Sequence, residues 1–157
     1  MNNIATSTHQ WDYLAASSHY VMAKEIKATI LEGDTEEAIH GLDELIENMS
    51  KIAIREMRSH LIKLMLHIIK WKYQEQKRSF SWLRSINNAR NEIEDIQEET
   101  HSVTRQVMLD VWEKAFQRAI TEAIYEMNIP KKEAHQFNPE MLTWEEVFET
   151  EYSLDNE

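Results

Sequence analysis

Two histidines, His60 and His67, stand seven residues apart in the run SHLIKLMLHIIKWKYQ, with Lys63 between them and Lys70 just beyond. Near neutral pH an imidazole can take a proton, give one up or bind a metal, so this strip is where chemistry is first sought. At helical spacing both rings share a face but lie about 10.5 Å apart along the axis, too far for one metal ion unless other helices add ligands between them. Pairing with carboxylates is the simpler use of such rings. Glu44 and Glu47 are the nearest acids if the segments before and after Ser50 form two antiparallel helices. The strip reads first as a structural polar seam, second as a partner or ligand site, and third as a hydrolase or metal-dependent centre.

A second cluster is basic and aromatic: Lys77, Arg78, Arg84 and Arg90 lie among Trp71, Tyr73, Phe80 and Trp82. Guanidinium groups beside aromatic faces suit phosphates and stacked bases, which makes nucleic-acid association the alternative reading of this segment. Against it, Trp71 and Trp82 fit apolar stripes, and Arg78 is well placed to anchor a turn to backbone carbonyls or to an acidic helix. Glu37/His40 and Glu98/His101 match the Glu-x-x-His spacing of di-metal bundles. About one such pair arises by chance in a chain so rich in Glu, so neither metal nor cofactor is expected. No nucleophile elbow, His-Glu-x-x-His, phosphate loop or kinase signature occurs.

The elements that must position these residues are helices. Gly and Pro occur twice each in 157 residues, too few for strands joined by tight turns or for glycine-rich phosphate loops. With no Cys, disulfides, thiol catalysis and thiolate-held metals are excluded. The start, MNNIATSTHQ, has neither the basic nor the apolar region of a secretory signal, and no run of about 20 apolar residues exists, so a cytoplasmic location is expected. The length suits one domain spanning 1–157, its core over about 10–152.

Charge is unevenly distributed within a net of −11. Residues 51–90 carry ten Lys or Arg against two acids, whereas 1–50 carry two bases and nine acids and 91–157 carry five bases and seventeen acids. Acidic outer helices can neutralise the basic middle within one molecule or across a dimer, and an anionic partner is the sharper alternative.

Periodicity predicts a first helix over 10–31 that ends at Gly33, and a second that starts from Asp34 and buries Ala38, Leu42, Leu45, Ile46 and Met49. Ser50 is read as the cap of a long third helix to Gln76. Its Leu61, Ile62, Leu64, Met65, Leu66, Ile68, Ile69 and Trp71 cover most of the circumference, so it must be central. Ser79 or Ser81 caps a fourth helix to Glu99, Ser102 a fifth that Pro130 ends, and Thr143 with Glu146 forms a capping box for a short terminal helix. In that helix Trp144, Val147 and Phe148 dock, while Glu145, Glu146, Glu149 and Glu151 face water; residues 153–157 fray.

The motif SHLIKLMLHIIKWKYQ followed by Arg78, Ser79 and Trp82 resembles the bacterial family catalogued as domain of unknown function 29. Its members carry a similar Ser-His-Leu, a similar His-Leu-Leu-Lys-Trp-Gln-Tyr-Gln and a similar Arg-Ser-x-Ser-Trp. The likeness extends to Glu44, Leu45, Ile46 and Glu47 upstream and to Thr143 through Tyr152 downstream. Lys72 stands where Gln is more usual, and Glu75 where many members have Pro, so the third helix is expected to run a turn further here. The resemblance implies an all-helical fold and an intracellular location, and it carries no activity.

The resulting expectation is an all-α bundle of about five helices with a long central third helix and a short C-terminal one. It is expected to act without catalysis, as an adaptor or regulator working through protein contacts. Five Trp and eight Met supply more anchors than a solitary small bundle needs, which points to self-association or a protein partner, not to a membrane.

Overall fold

The computed structural model describes residues 10–154 and is all-α, with six helices and no strand among those residues. They are α1 (Trp11–Ser17), α2 (His19–Leu31), α3 (Thr35–Tyr73), α4 (Phe80–Glu99), α5 (Arg105–Glu126) and α6 (Trp144–Phe148). The chain divides into two compact units, Met1–Ile52 and Ala53–Glu157.

Four helix boundaries differ from expectation, two of them by dividing or joining whole helices. The first predicted helix is broken at Ser18, whose backbone is extended (φ −159°, ψ 113°) and whose hydroxyl accepts from the Val21 N–H, so that α2 starts with its own cap. Serine competes for backbone partners in this way, and a Ser-Ser pair is a natural place for a helix to restart. Conversely the second and third predicted helices are one: α3 passes through Ser50 without interruption for 39 residues. A capping side chain breaks a helix only where the backbone also leaves it, and here the backbone does not.

The other ends follow local chemistry. Gly33 at φ 91° closes α2, with the Asp34 N–H on the Thr29 carbonyl and the Gly33 N–H on that of Ile30. Asn128 at φ 57° does the same for α5, two residues before Pro130. α3 ends at Tyr73, short of the predicted Gln76, and Glu75–Lys77 form a single 3₁₀ turn. Ser79 caps α4; Thr104, not Ser102, caps α5; and Thr143 with Glu146 completes the capping box of α6. Of the end expected to fray, residues 155–157 lie outside the described range.

In the unit from Ala53 onward, the C-terminal half of α3 is the core. Leu61, Leu64, Met65, Ile68 and Ile69 are fully buried, with Leu66 and Trp71 nearly so. All but Trp71 pack in one cluster with Ile86, Ala89 and Ile93 of α4, Met108, Ala115, Phe116 and Ala119 of α5, and Leu142 and Val147 of the C-terminal segment. On α5 the stripe through Trp112, Phe116 and Ala119 is buried more deeply than the neighbouring Val107, Val111, Ile120 and Ile124.

The other unit has a smaller core of Trp11, Ala15, Met22, Ile26 and Ala38. Gly41 makes it possible: a Cβ there would lie 2.9 Å from the Trp11 ring and 3.0 Å from Ile26. The ring is further held by its indole N–H, which donates to Glu37 Oε1 at 2.7 Å. Gly41→Leu should therefore destabilise this unit by about 1–3 kcal/mol through overpacking. Lost hydrogen-exchange protection along α2 would report it, and undiminished protection would show that the ring can move aside.

Candidate functional site

The histidine strip separates into two environments. His60 is half-buried in an open groove of about 430 Å³ between α3 and α4, with Arg55 and Glu56 on its own helix and Glu92, Asp95 and Glu99 across from it. His67, one turn beyond Lys63, donates its Nδ1–H to the Lys63 carbonyl at 2.8 Å, since a carbonyl can only accept. Burial, aided by the nearby Lys70 and Lys63 ammonium groups, holds its pKa below the ordinary imidazole value against the opposing pull of that hydrogen bond and of Glu126. His67 is therefore biased toward the neutral ring and tied to its own helix.

Glu44 and Glu47 are not opposite these rings. They belong to the same continuous helix, so the antiparallel pair that would have set them there does not exist; Glu47 instead pairs with Lys51 at 3.0 Å. Lys63 is exposed, whereas Lys70 is buried and places its ammonium 2.6 Å from Glu126 and 4.7 Å from the centre of the Trp82 ring. A buried ammonium between a carboxylate and an aromatic face has its charge answered twice.

The basic and aromatic cluster is largely used up inside the fold. Arg78 donates from Nε to the Trp71 carbonyl at 2.8 Å and lies over the Trp71 ring, satisfying an orphan carbonyl near the end of α3. Arg90 donates to the Val147 carbonyl at 2.7 Å and to that of Glu146 at 3.3 Å, and so holds α6. Lys77 and Arg84 are exposed, and Trp82 is half-buried.

Around α6 these contacts form a clasp. Trp112 donates its indole N–H to the Leu142 carbonyl at 3.0 Å and stacks on Trp144, which is covered in turn by Arg105. Glu146, expected to face water, is partly buried: it pairs with Lys72 and accepts from the Thr143 N–H. Burial alone would raise its pKa, but the bonds from Lys72 and Thr143 outweigh that and hold it below the ordinary carboxylate value. Tyr152 donates to the Glu146 carbonyl at 2.7 Å, and burial followed by the Glu146 charge pushes its pKa up to about 12.

The surface the sequence reading placed wrongly is on the N-terminal half of α3. Ala38 is buried as predicted and Leu45 partly so, but Leu42, Ile46 and Met49, expected inside, are 40–63% exposed, as is the neighbouring Ile39. Ten of the fifteen exposed large hydrophobic residues among those described lie between Tyr13 and Ile52. Single exposed apolar residues mean little, but a row at spacings of three, four and three residues forms a continuous apolar stripe along one helix face. The signal was present in the apolar periodicity; what a periodicity leaves open is whether the covering partner belongs to the same chain.

A family model described as domain of unknown function DUF29 matches residues 23–153. No curated protein and no solved structure matches the chain.

The clasp predicts a loss of stability at both pH extremes. Glu146 has a depressed folded pKa, so its contribution is complete above the unfolded carboxylate value of about 4.5 and is lost as pH falls through the folded value. Glu146→Gln should flatten the acid limb of a stability profile, and an unchanged limb would mean that the Lys72 pair does not hold α6. Tyr152 has a raised folded pKa, so stability should fall as pH rises from about 10 toward 12 and the unfolded phenol ionises first. Tyr152→Phe should remove that alkaline dependence, as followed by phenolate absorbance and denaturant titration.

Proposed function

The chain belongs to the DUF29 family, and we propose that it is a non-catalytic adaptor or regulator whose N-terminal unit docks another polypeptide along the Ile39/Leu42/Ile46/Met49 stripe. The exposure of that stripe carries the reading. A helix whose apolar row is open to water gains roughly 1.5–3 kcal/mol for each large side chain it can bury, which is the driving force of helix docking.

The other readings have less behind them. For nucleic-acid association, Arg78 and Arg90 are turned onto backbone carbonyls and Lys72 is paired with Glu146, which leaves Lys77 and Arg84 as the cluster's exposed cations. For catalysis at the histidines, the Nδ1 of His67 is committed to the Lys63 carbonyl and Glu44 and Glu47 stand elsewhere. As for the compartment, no helix among the described residues is long and apolar enough to cross a membrane, and a cytoplasmic adaptor suits that.

A photo-crosslinking side chain at Met49 should capture another polypeptide in the native cell, whereas the same probe at exposed Arg118 should not. Ile46→Ser should reduce the Met49 adduct about tenfold, equivalent to losing about 1.4 kcal/mol of docking. Because Ile46 is exposed, its replacement should change folding stability by less than about 0.5 kcal/mol. Equal adducts at Met49 and Arg118, or none at Met49, would sink the proposal.

A further inference from the structure

We infer that the occupant of this stripe is an amphipathic helix with basic flanks on a different protein, rather than a second copy of this chain. The inference rests on the docking role proposed above and adds the chemistry of the partner.

Spacing indicates the shape of the occupant. Ile39, Leu42, Ile46 and Met49 fall at alternating three- and four-residue intervals, the seam against which a second helix sets its own apolar side chains. On a helical wheel the seam is centred about 90° from the inward face of Ala38, Gly41 and Leu45. Its row spans eleven residues, about 15 Å between its ends, so three to four turns of a partner helix would cover it.

Charge indicates the partner's composition. Exposed Glu36 and Asp43 line the edge of the seam away from the packed face. Residues 1–52 hold nine acids against three bases. An antiparallel second copy would bring those edge acids against each other, and like charges at adjoining helix edges repel. An anionic bilayer would be repelled by the same acids. A partner helix with Lys or Arg beside its apolar row would instead find opposite charge along the exposed border, which favours both encounter and register.

The test uses the full chain and two designed 18-residue peptides that share one Leu heptad seam, one with Lys and the other with Glu at the flanking positions. The Lys peptide should bind at least tenfold tighter than the Glu peptide and lose affinity as salt rises. Ile46→Ser should weaken it about tenfold, and Asp43→Lys should weaken it and blunt the salt dependence. Insensitivity of the Lys peptide to Ile46→Ser would place its binding elsewhere on this acidic chain and overturn the inference. Equal binding of both peptides would do the same. Sedimentation of the peptide-free chain should give a monomer of 18.7 kDa. A dimer that Ile46→Ser dissociates would make the occupant a second copy, which overturns this inference but leaves the docking role standing. If neither peptide binds and Ile46→Ser also leaves the Met49 adduct unchanged, both fail.

Discussion

The unit from Ala53 onward depends on one requirement: the C-terminal half of α3 is apolar on nearly every side and must be enclosed. A helix with one apolar stripe can rest against a single neighbour, but Leu61, Leu64, Met65, Ile68 and Ile69 point in too many directions for that. α4, α5 and the segment through Leu142 and Val147 each cover part of the circumference. The same enclosure explains the treatment of Lys70. An ammonium drawn into so apolar a helix would be strongly disfavoured alone, and Glu126 of α5 and the Trp82 face of α4 supply the opposite charge and the polarisable surface it needs.

Closing the circle falls to a helix that cannot stand by itself. α6 has five residues, far below the length at which an isolated helix forms in water, so its geometry comes from what it touches. Its first turn is capped from within by Thr143 and Glu146, and carbonyls in its last turn are taken by Arg90 and Tyr152 from outside. Lys72 meets Glu146 across the same clasp. Part of the charge asymmetry along the chain is therefore resolved locally, with cations of the 51–90 segment serving as ligands for the backbone and carboxylate of the acidic end.

Legibility in the sequence tracked how local the deciding physics was. The burial of α3 from Leu61 to Trp71, the left-handed Gly33, the Ser79 cap and the Thr143/Glu146 box all rest on side chains within a few residues of one another. The break at Ser18 and the unbroken passage through Ser50 could not be separated in that way, because both are serines with cap chemistry and the choice lies with packing around them. The candidate site suffered the same limit. Placing Glu44 and Glu47 opposite the histidines required a turn near Ser50, and without that turn the proposed pairing dissolves. Arg90 was visible only as a member of the basic and aromatic cluster; its structural role appears when the chain brings Val147 back to it.

The two halves of α3 carry the same kind of pattern to different ends. Around Leu64 the apolar row is matched by rows on α4 and α5, and every large side chain in it is dry. Around Ile46 the inward row is small at Ala38 and Gly41, so that the Trp11 ring can lie against the backbone; Leu45 is its one large, part-buried member, and Ile39, Leu42, Ile46 and Met49 stand one row over, in water. A chain selected only to fold would gain by the reverse arrangement, with bulk inward and small or polar residues outside. Exposed apolar rows also invite indiscriminate association, and acids along their border oppose it through repulsion between like copies. Glu36 and Asp43 occupy that border. Water-facing bulk bordered by charge of one sign is the arrangement behind the proposed preference for a helix of opposite sign over a second copy.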